Sequence, residues 1–354
     1  MNKSLLAIAA LAASSAYAQS VQIGGVLDGG VATYSKAGTT QQSQTSFNGS
    51  GLDAPTSFFI KGSEDLGSGW KANFELESGI SLANGGYANS TGALFGRMAY
   101  AGLSTNYGAV NFGLQMDPAF LSVLDTDPNG GSEYAAGVSQ WLNTARANAQ
   151  GTSVSGIFDQ NAVSYSTPNL NGFSGTVLYS LGGLAGNSNA NSHTSLGAKF
   201  AGFPGLLISV GGFLSKNATG GTGTEYNAGA SYKFGKAILA ANYIETNTTG
   251  NLVRNKITSG NIGGGYELTP AASVTAGYYD IENKTTSGSL KTFSIIGHYA
   301  LSKSTKLYLG AQNAKNINFG TAFLDAGGVG TNVSNSPANT VTSAGLVLGI
   351  AKAF

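Results

Sequence analysis

Polar and apolar residues alternate along most of this chain in stretches separated by glycine-, asparagine- and serine-rich connections. The clearest stretch is 71–77, where the polar positions are Lys71, Asn73, Glu75 and Glu77, and the apolar positions are Ala72, Phe74 and Leu76. A period of two is typical of a β-strand with one wet face and one apolar face. The same alternation recurs at 109–115, 173–180 and 305–310, so the pattern predicts an all-β chain.

The connections between these stretches are of two lengths. Short ones contain the proline, glycine and asparagine that favour tight turns, and they lie at 64–69, 104–108, 167–172, 201–205, 234–236, 268–271 and 301–304. Longer ones, rich in Gly, Ser, Thr and Asn, include 37–55, 181–191 and 314–339. Short turns at one rim and long loops at the other are the arrangement of an outer-membrane β-barrel.

The alternating stretches number about sixteen, which is in the range that leaves a water-filled lumen in a barrel. We predict strands near 21–34, 57–64, 70–80, 94–103, 109–115, 161–166, 173–180, 193–200, 206–213, 225–234, 237–247, 256–267, 272–280, 291–301, 305–313 and 341–354. The predicted fold is therefore an antiparallel, 16-stranded transmembrane β-barrel. Because alternation alone does not identify the solvent on the apolar face, a secreted β-sandwich or adhesin stays as the alternative.

The first residues have the features of a secretory signal peptide over 1–18. Lys3 supplies the positive charge, 5–13 is apolar, and Ala16-Tyr17-Ala18 is a small-x-small cleavage site. The apolar stretch is too short for a helix that spans a membrane. We therefore expect export to the bacterial outer membrane and a single barrel domain over 19–354.

Composition narrows the chemistry. The chain holds 53 glycines in 354 residues, only 10% charged residues and no cysteine. The absence of cysteine excludes disulfides and thiolate metal sites. A net charge of +1 gives no electrostatic basis for binding nucleic acid.

One connection, 116–160, is long and contains no convincing strand. Loops of this length are usually functional or disordered. Its acids are unusually dense for so uncharged a chain: Asp117, Asp125, Asp127, Glu133 and Asp159, together with Arg146. Folded into the lumen, this loop would place those groups at the narrowest point of a pore, whereas a loop on the outer surface is the alternative.

At this point the chain resembles the Gram-negative general-diffusion porins, particularly the trimeric porins of the beta-proteobacterial type. The matching segments run from the first strand to the last: VLD at 26–28, KGSEDLG at 61–67, FELE at 74–77, RMAYAGL at 97–103, SYSTPNLNGF at 164–173, YALSK at 299–303 and GIAKAF at 349–354.

The resemblance implies a homotrimer that sits among outer-membrane lipid and lipopolysaccharide. It also implies an inward third loop, passive diffusion of small hydrophilic solutes and ions, and no enzyme activity or cofactor. It further implies that the assembly machinery reads the terminal Phe354 as an insertion signal.

Leu346, Leu348 and Ile350 share one face of the last strand with Lys352, which would have to reach the membrane interface.

The charges of the predicted constriction follow from the same resemblance. Wall cations would be Arg97, Lys61 and Lys71, with Glu77 among them to hold their side chains, opposite the loop acids Asp117, Asp125, Asp127 and Glu133. Where the family pattern tends to place arginine, this chain has Ser57, Asn111, Leu114 and Phe158. Four loop acids against three wall cations predict weak cation preference or little selectivity. A substrate-specific channel with a saturable site is the alternative function.

Three further motifs have plain structural interpretations. Residues 125–130 resemble the start of a calcium loop, but its twelfth position is Ala136, which favours a polar turn. Gly24-Gly25 and 263–265 are interpreted as sheet glycines. His193 and His298 fall in different predicted strands, so no metal site or hydrolase site is predicted from them.

Overall fold

The computed structural model describes residues 19–37, 41–141, 153–154, 157–250, 255–319, 321–323, 332–334 and 340–354. The predicted signal peptide, 1–18, lies outside the described residues, as does Arg146.

The described residues form a closed antiparallel barrel of sixteen strands. Its strands are β1 (Gln19–Ala37), β3 (Ser57–Gly67), β4 (Trp70–Gly79), β5 (Met98–Thr105), β6 (Gly108–Met116), β8 (Phe158–Ser166), β9 (Phe173–Ser180), β10 (His193–Phe200), β11 (Leu206–Lys216), β12 (Thr222–Phe234), β13 (Ala237–Thr249), β14 (Asn255–Thr269), β15 (Ala272–Asn283), β16 (Gly288–Ser302), β17 (Thr305–Ile317) and β20 (Thr340–Ala353). The last strand closes the ring by pairing with β1 from Val26 to Tyr34.

Four short strands complete the sheet content of the described residues. β2 (Gln42–Asn48) pairs with the end of β1, β7 (Ser153–Val154) pairs with β8, and β18 (Thr321–Phe323) forms a separate hairpin with β19 (Asn332–Ser334). β1 is long enough to pair with β20 on one side, and with β3 and then β2 on the other. The single closed ring confirms the predicted barrel and excludes the two-sheet sandwich.

The alternating pattern sorts the side chains as predicted. In β20 every second residue is buried, while Leu346, Leu348 and Ile350 on the outer face are 55%, 61% and 45% exposed. Lys352 shares that outer face at the end of the strand, where its Nζ donates a hydrogen bond of 2.6 Å to Ser304 Oγ. The outer face of this strand is therefore apolar up to a lysine that lies beside a short turn.

The structure corrects the predictions for two segments. The strand predicted at 94–103 begins only at Met98, so Arg97 precedes the strand. The connection 116–160, in which no strand was expected, contains β7 and the first residues of β8. It also contains two short helices, α1 (Pro118–Leu124) and α2 (Gly137–Trp141). α1 starts where it does because Pro118 occupies its first turn and the Asp117 carboxylate accepts the Phe120 N–H at 2.8 Å.

In the parts of the chain that the structure describes, no helix has both the length and the apolar character needed to cross a membrane.

Candidate pore constriction

The described part of 116–160, here called the constriction loop, lies against the inner wall of the barrel. α1 packs on β10, β11 and β12. The wall has glycine where the loop approaches most closely. A Cβ added to Gly197, Gly211 or Gly229 would lie 2.4, 2.1 or 2.1 Å from Pro118 O, Ser122 Oγ or Thr126 Oγ1, respectively.

We call Gly197, Gly211, Gly229 and Gly263 the glycine row. Gly263, on β14, would bring an added Cβ to 2.9 Å from Pro128 Cβ. Each of these wall positions lies on an inward face by strand register. Because no side chain projects there, the loop backbone can approach the wall directly. Four of the many glycines in the sequence therefore permit the close contact between the loop and the wall.

Beyond α1 the loop is fixed to β15 and β16, further along the same wall, by its own polar groups. Asn129 Nδ2 donates to Tyr279 Oη at 3.0 Å and to Ser294 Oγ at 2.9 Å. Asp127 Oδ1 accepts from Tyr279 Oη at 3.2 Å and from the backbone N–H groups of Asn129 and Gly131. The predicted polar turn at 125–130 is therefore formed.

This geometry differs from a calcium loop because the side chains at its first, third and fifth positions are bound to other groups of the protein. Asp125 faces Lys199, Asp127 faces Tyr279, and the Asn129 amide bridges two strands.

A second segment, residues 49–56, also folds inward, between β2 and β3, and the sequence did not predict its direction. Asp28 on β1 anchors it. The fully buried Asp28 carboxylate accepts the backbone N–H groups of Leu52, Asp53 and Ala54 at 3.3, 3.1 and 2.8 Å. Tyr308 on β17 donates a fourth hydrogen bond at 2.6 Å.

The 49–56 segment contacts the constriction loop through the backbone. The N–H of Tyr134 donates to Leu52 O at 2.6 Å, and the N–H of Glu133 donates to Asp53 O at 3.4 Å. The lumen is therefore narrowed by two connected segments. Gly49, Gly51 and Pro55 mark a break in the strand pattern, and this was the sequence signal available for the second one.

The side chain of Asp53 reaches the wall. Its carboxylate lies 2.9 Å from His298 Nε2 on β16 and 2.5 Å from Lys306 Nζ on β17. Burial raises the pKa of the Asp53 carboxyl, but the hydrogen bond and charge of His298 and the charge of Lys306 outweigh it, so the pKa lies below its usual value. Asp53 is thus held as a carboxylate opposite a lysine.

Arg97, the principal predicted wall cation, is neutralised locally. Its Nε lies 2.9 Å from Glu77 Oε1, and its Nη1 donates to Asn89 O at 2.8 Å. The guanidinium also lies 5.2 Å from the centre of the Phe158 ring. Only 6% of Arg97 is exposed.

Lys61 and Lys71, the other two predicted wall cations, lie on the inward face by strand register, and both are exposed. By strand register Lys61 lies directly opposite Glu75, and Lys71 lies directly opposite Asp65. Glu75 also accepts a hydrogen bond of 2.9 Å from Tyr100 Oη. Each wall lysine therefore has an acid at cross-strand distance.

The four loop acids occupy two different environments. Asp125 is partly exposed and lies 3.4 Å from Lys199 Nζ, and Glu133 is partly exposed beside the 49–56 segment. Asp117 and Asp127 are buried, at 0% and 6% exposed. This corrects the expectation that all four present their carboxylates to a passing solute: α1 is capped by Asp117, and the following turn is held by Asp127.

Asp117 belongs to a buried cluster at the base of the constriction loop. Its Oδ2 lies 2.8 Å from Nε2 of His193 on β10, and Asp159 Oδ1 lies 3.6 Å from the same nitrogen. The ligand atoms of these three residues lie within 4.8 Å of one another, a spacing that a metal ion could occupy. The sequence placed His193 in a strand but did not identify these partners.

The four positions noted for lacking arginine separate in the structure. Ser57 and Asn111 lie on the inward face, and Phe158 packs against Arg97. Leu114 pairs with Ala99 on the outward face, so it is not a position on the lumen wall.

The chain ends beside its own first strand. Backbone hydrogen bonds join Phe354 N to Gly25 O at 3.1 Å and Gly25 N to Phe354 O at 3.2 Å. Phe354 is 58% exposed, next to the outer apolar band. Gly24 and Gly25 lie in β1 and Gly263 to Gly265 lie in β14, as the sheet interpretation predicts.

Comparisons with known proteins agree with this architecture. The family model described as Gram-negative porin matches residues 4–318. Outer membrane porin protein 32 of Delftia acidovorans is 32% identical over 341 residues, which cover 93% of this chain and 94% of that protein. An outer membrane porin protein of Bordetella pertussis is 29% identical, with 90% of this chain and 96% of that protein covered.

The solved structure described as the anion-selective porin from Comamonas acidovorans superposes with a TM-score of 0.83 at 24% identity. The superposition covers 95% of this chain and all of that one. A closed barrel with two segments inside its lumen defines a β-barrel channel protein. The chain belongs to the Gram-negative porin family and is located in the outer membrane, where its relatives are porins.

Proposed function

We propose that this porin is a weakly selective general-diffusion channel for small hydrophilic solutes and ions. The observation that carries this proposal is that lumen cations lie beside lumen acids. These pairings are Arg97 with Glu77, Lys199 with Asp125, Lys306 with Asp53, Lys61 opposite Glu75 and Lys71 opposite Asp65. Two opposite charges that lie close together cancel most of each other's electric field at distances greater than their separation. Salt screens the remaining field over a Debye length of about 8 Å.

The proposed pore constriction consists of the described constriction loop and the 49–56 segment, facing the wall that carries Lys61, Lys71 and Arg97. Because Asp117 and Asp127 are buried, Asp125 and Glu133 are the loop acids that a solute would meet. Solutes would exchange part of their hydration for hydroxyl, amide and charged groups of this lining. The channel needs no covalent step, so neither an enzyme activity nor a cofactor is part of the proposal.

The proposed assembly is a homotrimer. Its support is family membership and one fold neighbour, OmpT of Vibrio cholerae, which is described in a trimer form. The exposed outer band and the Phe354 side chain would meet membrane lipid, lipopolysaccharide and, during insertion, the assembly machinery. A cleaved signal peptide over 1–18 would deliver the chain to that machinery.

Pore formation is tested by adding the refolded full chain to a planar bilayer. Stepwise conductance increments are expected. Trimer assembly is tested separately, by gel migration of unheated and heated samples, where an unheated species of three times the monomer mass is expected. No conductance from a protein with the strand content of a folded barrel would contradict the proposal.

A further inference from the structure

A cavity of about 270 Å³ lies between α1 and the wall strands β8 to β11. The predicted wall cations Lys61, Lys71 and Arg97 do not line this cavity. Leu121 and Ser122 of α1 and Asp125, the residue that follows it, line the cavity on one side, and Thr176, Lys199 and Ser209 line it from the wall. The wall residues belong to inward faces, so the cavity opens to the lumen.

The cavity carries one acid and one base, side by side. Lys199 Nζ lies 3.4 Å from both carboxylate oxygens of Asp125, and the two side chains are 49% and 26% exposed. A direct charge-assisted hydrogen bond would be shorter, at about 2.7–2.9 Å. The pair is therefore loose, and both partners remain accessible to a solute.

The other side chains that line the cavity carry hydroxyl groups or are apolar, and Leu121 is the largest of the apolar ones. Ser209 Oγ donates to Asp125 Oδ2 at 3.2 Å, which orients the carboxylate. Ser166 and Thr176 place two more hydroxyls 2.9 Å apart on the wall. Leu121 is 43% exposed and supplies an apolar surface next to the charges.

We propose that this cavity is a binding subsite for α-amino acids in their zwitterionic form. An α-amino acid carries its ammonium and carboxylate on the same carbon, so its charges are as close together as those of Asp125 and Lys199. Asp125 would receive the ammonium, Lys199 the carboxylate, and Leu121 an aliphatic side chain. The inference rests on the proposed diffusion channel and adds a saturable step to it.

The test is a titration of single-channel conductance with L-leucine, using the refolded full chain in planar bilayers. Two analogues of similar shape carry one charge each: isopentylamine and 4-methylpentanoate. We expect a saturable decrease in wild-type conductance with L-leucine. Half-saturation should need about tenfold more of either analogue, because each leaves one charged partner in the cavity without its counterpart.

Lys199→Gln and Asp125→Asn should each weaken the L-leucine effect about tenfold or more. Lys233→Gln is the matched control, because Lys233 forms an exposed ion pair of 2.7 Å with Glu267 away from this cavity. It should leave the titration unchanged.

Equal half-saturation in wild type, Lys199→Gln and Asp125→Asn would overturn the subsite, as would the absence of any saturable decrease. In both cases the pore still conducts, so the proposed channel function stands. A wild-type protein that folds but does not conduct would instead contradict the channel itself.

Discussion

Gly229 on the barrel wall lies directly beneath Thr126 of the constriction loop, so closely that an added Cβ would be 2.1 Å from Thr126 Oγ1. No real Cβ atom is accommodated at that distance without movement of a neighbour. The glycine row of which Gly229 is a member therefore determines how close to the wall the loop can lie.

Gly229→Ala should displace the loop toward the pore axis and lower single-channel conductance. Overpacking of this kind costs about 1–3 kcal/mol, so the urea midpoint of unfolding should fall as well. Gly260→Ala on β14 is the matched control, since nothing lies within 4 Å of its added Cβ. Equal conductance in the two variants would contradict the role assigned to the glycine row.

Glu77→Gln should shift ion selectivity toward anions, because it removes the carboxylate that neutralises Arg97. Only 8% of the Arg97 side chain and 14% of the Glu77 side chain are exposed, and breaking a buried pair from one side costs about 3–5 kcal/mol. Reversal potentials under a KCl gradient measure the selectivity. The double variant Glu77→Gln/Arg97→Gln should return the selectivity toward that of the wild type. If it does not, the shift seen in Glu77→Gln does not come from the unpaired charge of Arg97.

Asp53 should make the lumen sensitive to acid. Since its pKa is lowered in the folded protein, the stabilisation it gives is present above the ordinary carboxyl value near 4 and is lost as pH falls through the lowered pKa. Below that point Lys306 loses its counter-ion, so anion preference should rise in wild type. Asp53→Asn should show the higher anion preference already at pH 7, and reversal potentials from pH 7 to pH 3 compare the two.

Asp28→Asn should loosen the 49–56 segment. The amide retains one acceptor oxygen where the carboxylate accepts from three backbone N–H groups and Tyr308, and leaving a buried donor unsatisfied costs about 1–3 kcal/mol. Amide hydrogen exchange at Leu52, Asp53 and Ala54 should become faster. Unchanged protection at these amides would show that the segment is held by other contacts.

The period-two pattern was sufficient to predict the strands, because strand alternation is a local property of the sequence. The barrel followed only when the strand count, the alternation of short turns with long loops and the family resemblance were added. The period-two pattern also put Lys71 and Glu77 together on the polar face of their strand, and this is the inward face in the structure. The contact between Asp53 and His298 spans 245 positions and depends on where a loop folds, which no local pattern records.

The constriction loop also shows what the sequence could not predict. Its acids were visible in the sequence, but burial decided their roles: Asp117 caps a helix and meets His193, while Asp125 stays accessible beside Lys199. Lys199 and Lys306 were missed because a lone lysine in an alternating strand has no distinguishing signal. Their acidic partners come from segments far away in the chain.

Weak selectivity through charge compensation, as proposed for this porin, is tested most directly by the reversal potential of the wild-type protein under a KCl gradient at neutral pH. Residual electrostatics of about 1 kcal/mol correspond to a cation-to-anion permeability ratio within about fivefold of unity, and this is the predicted result. A potential close to the Nernst value for either ion alone, indicating strong anion or strong cation selectivity, would contradict the account.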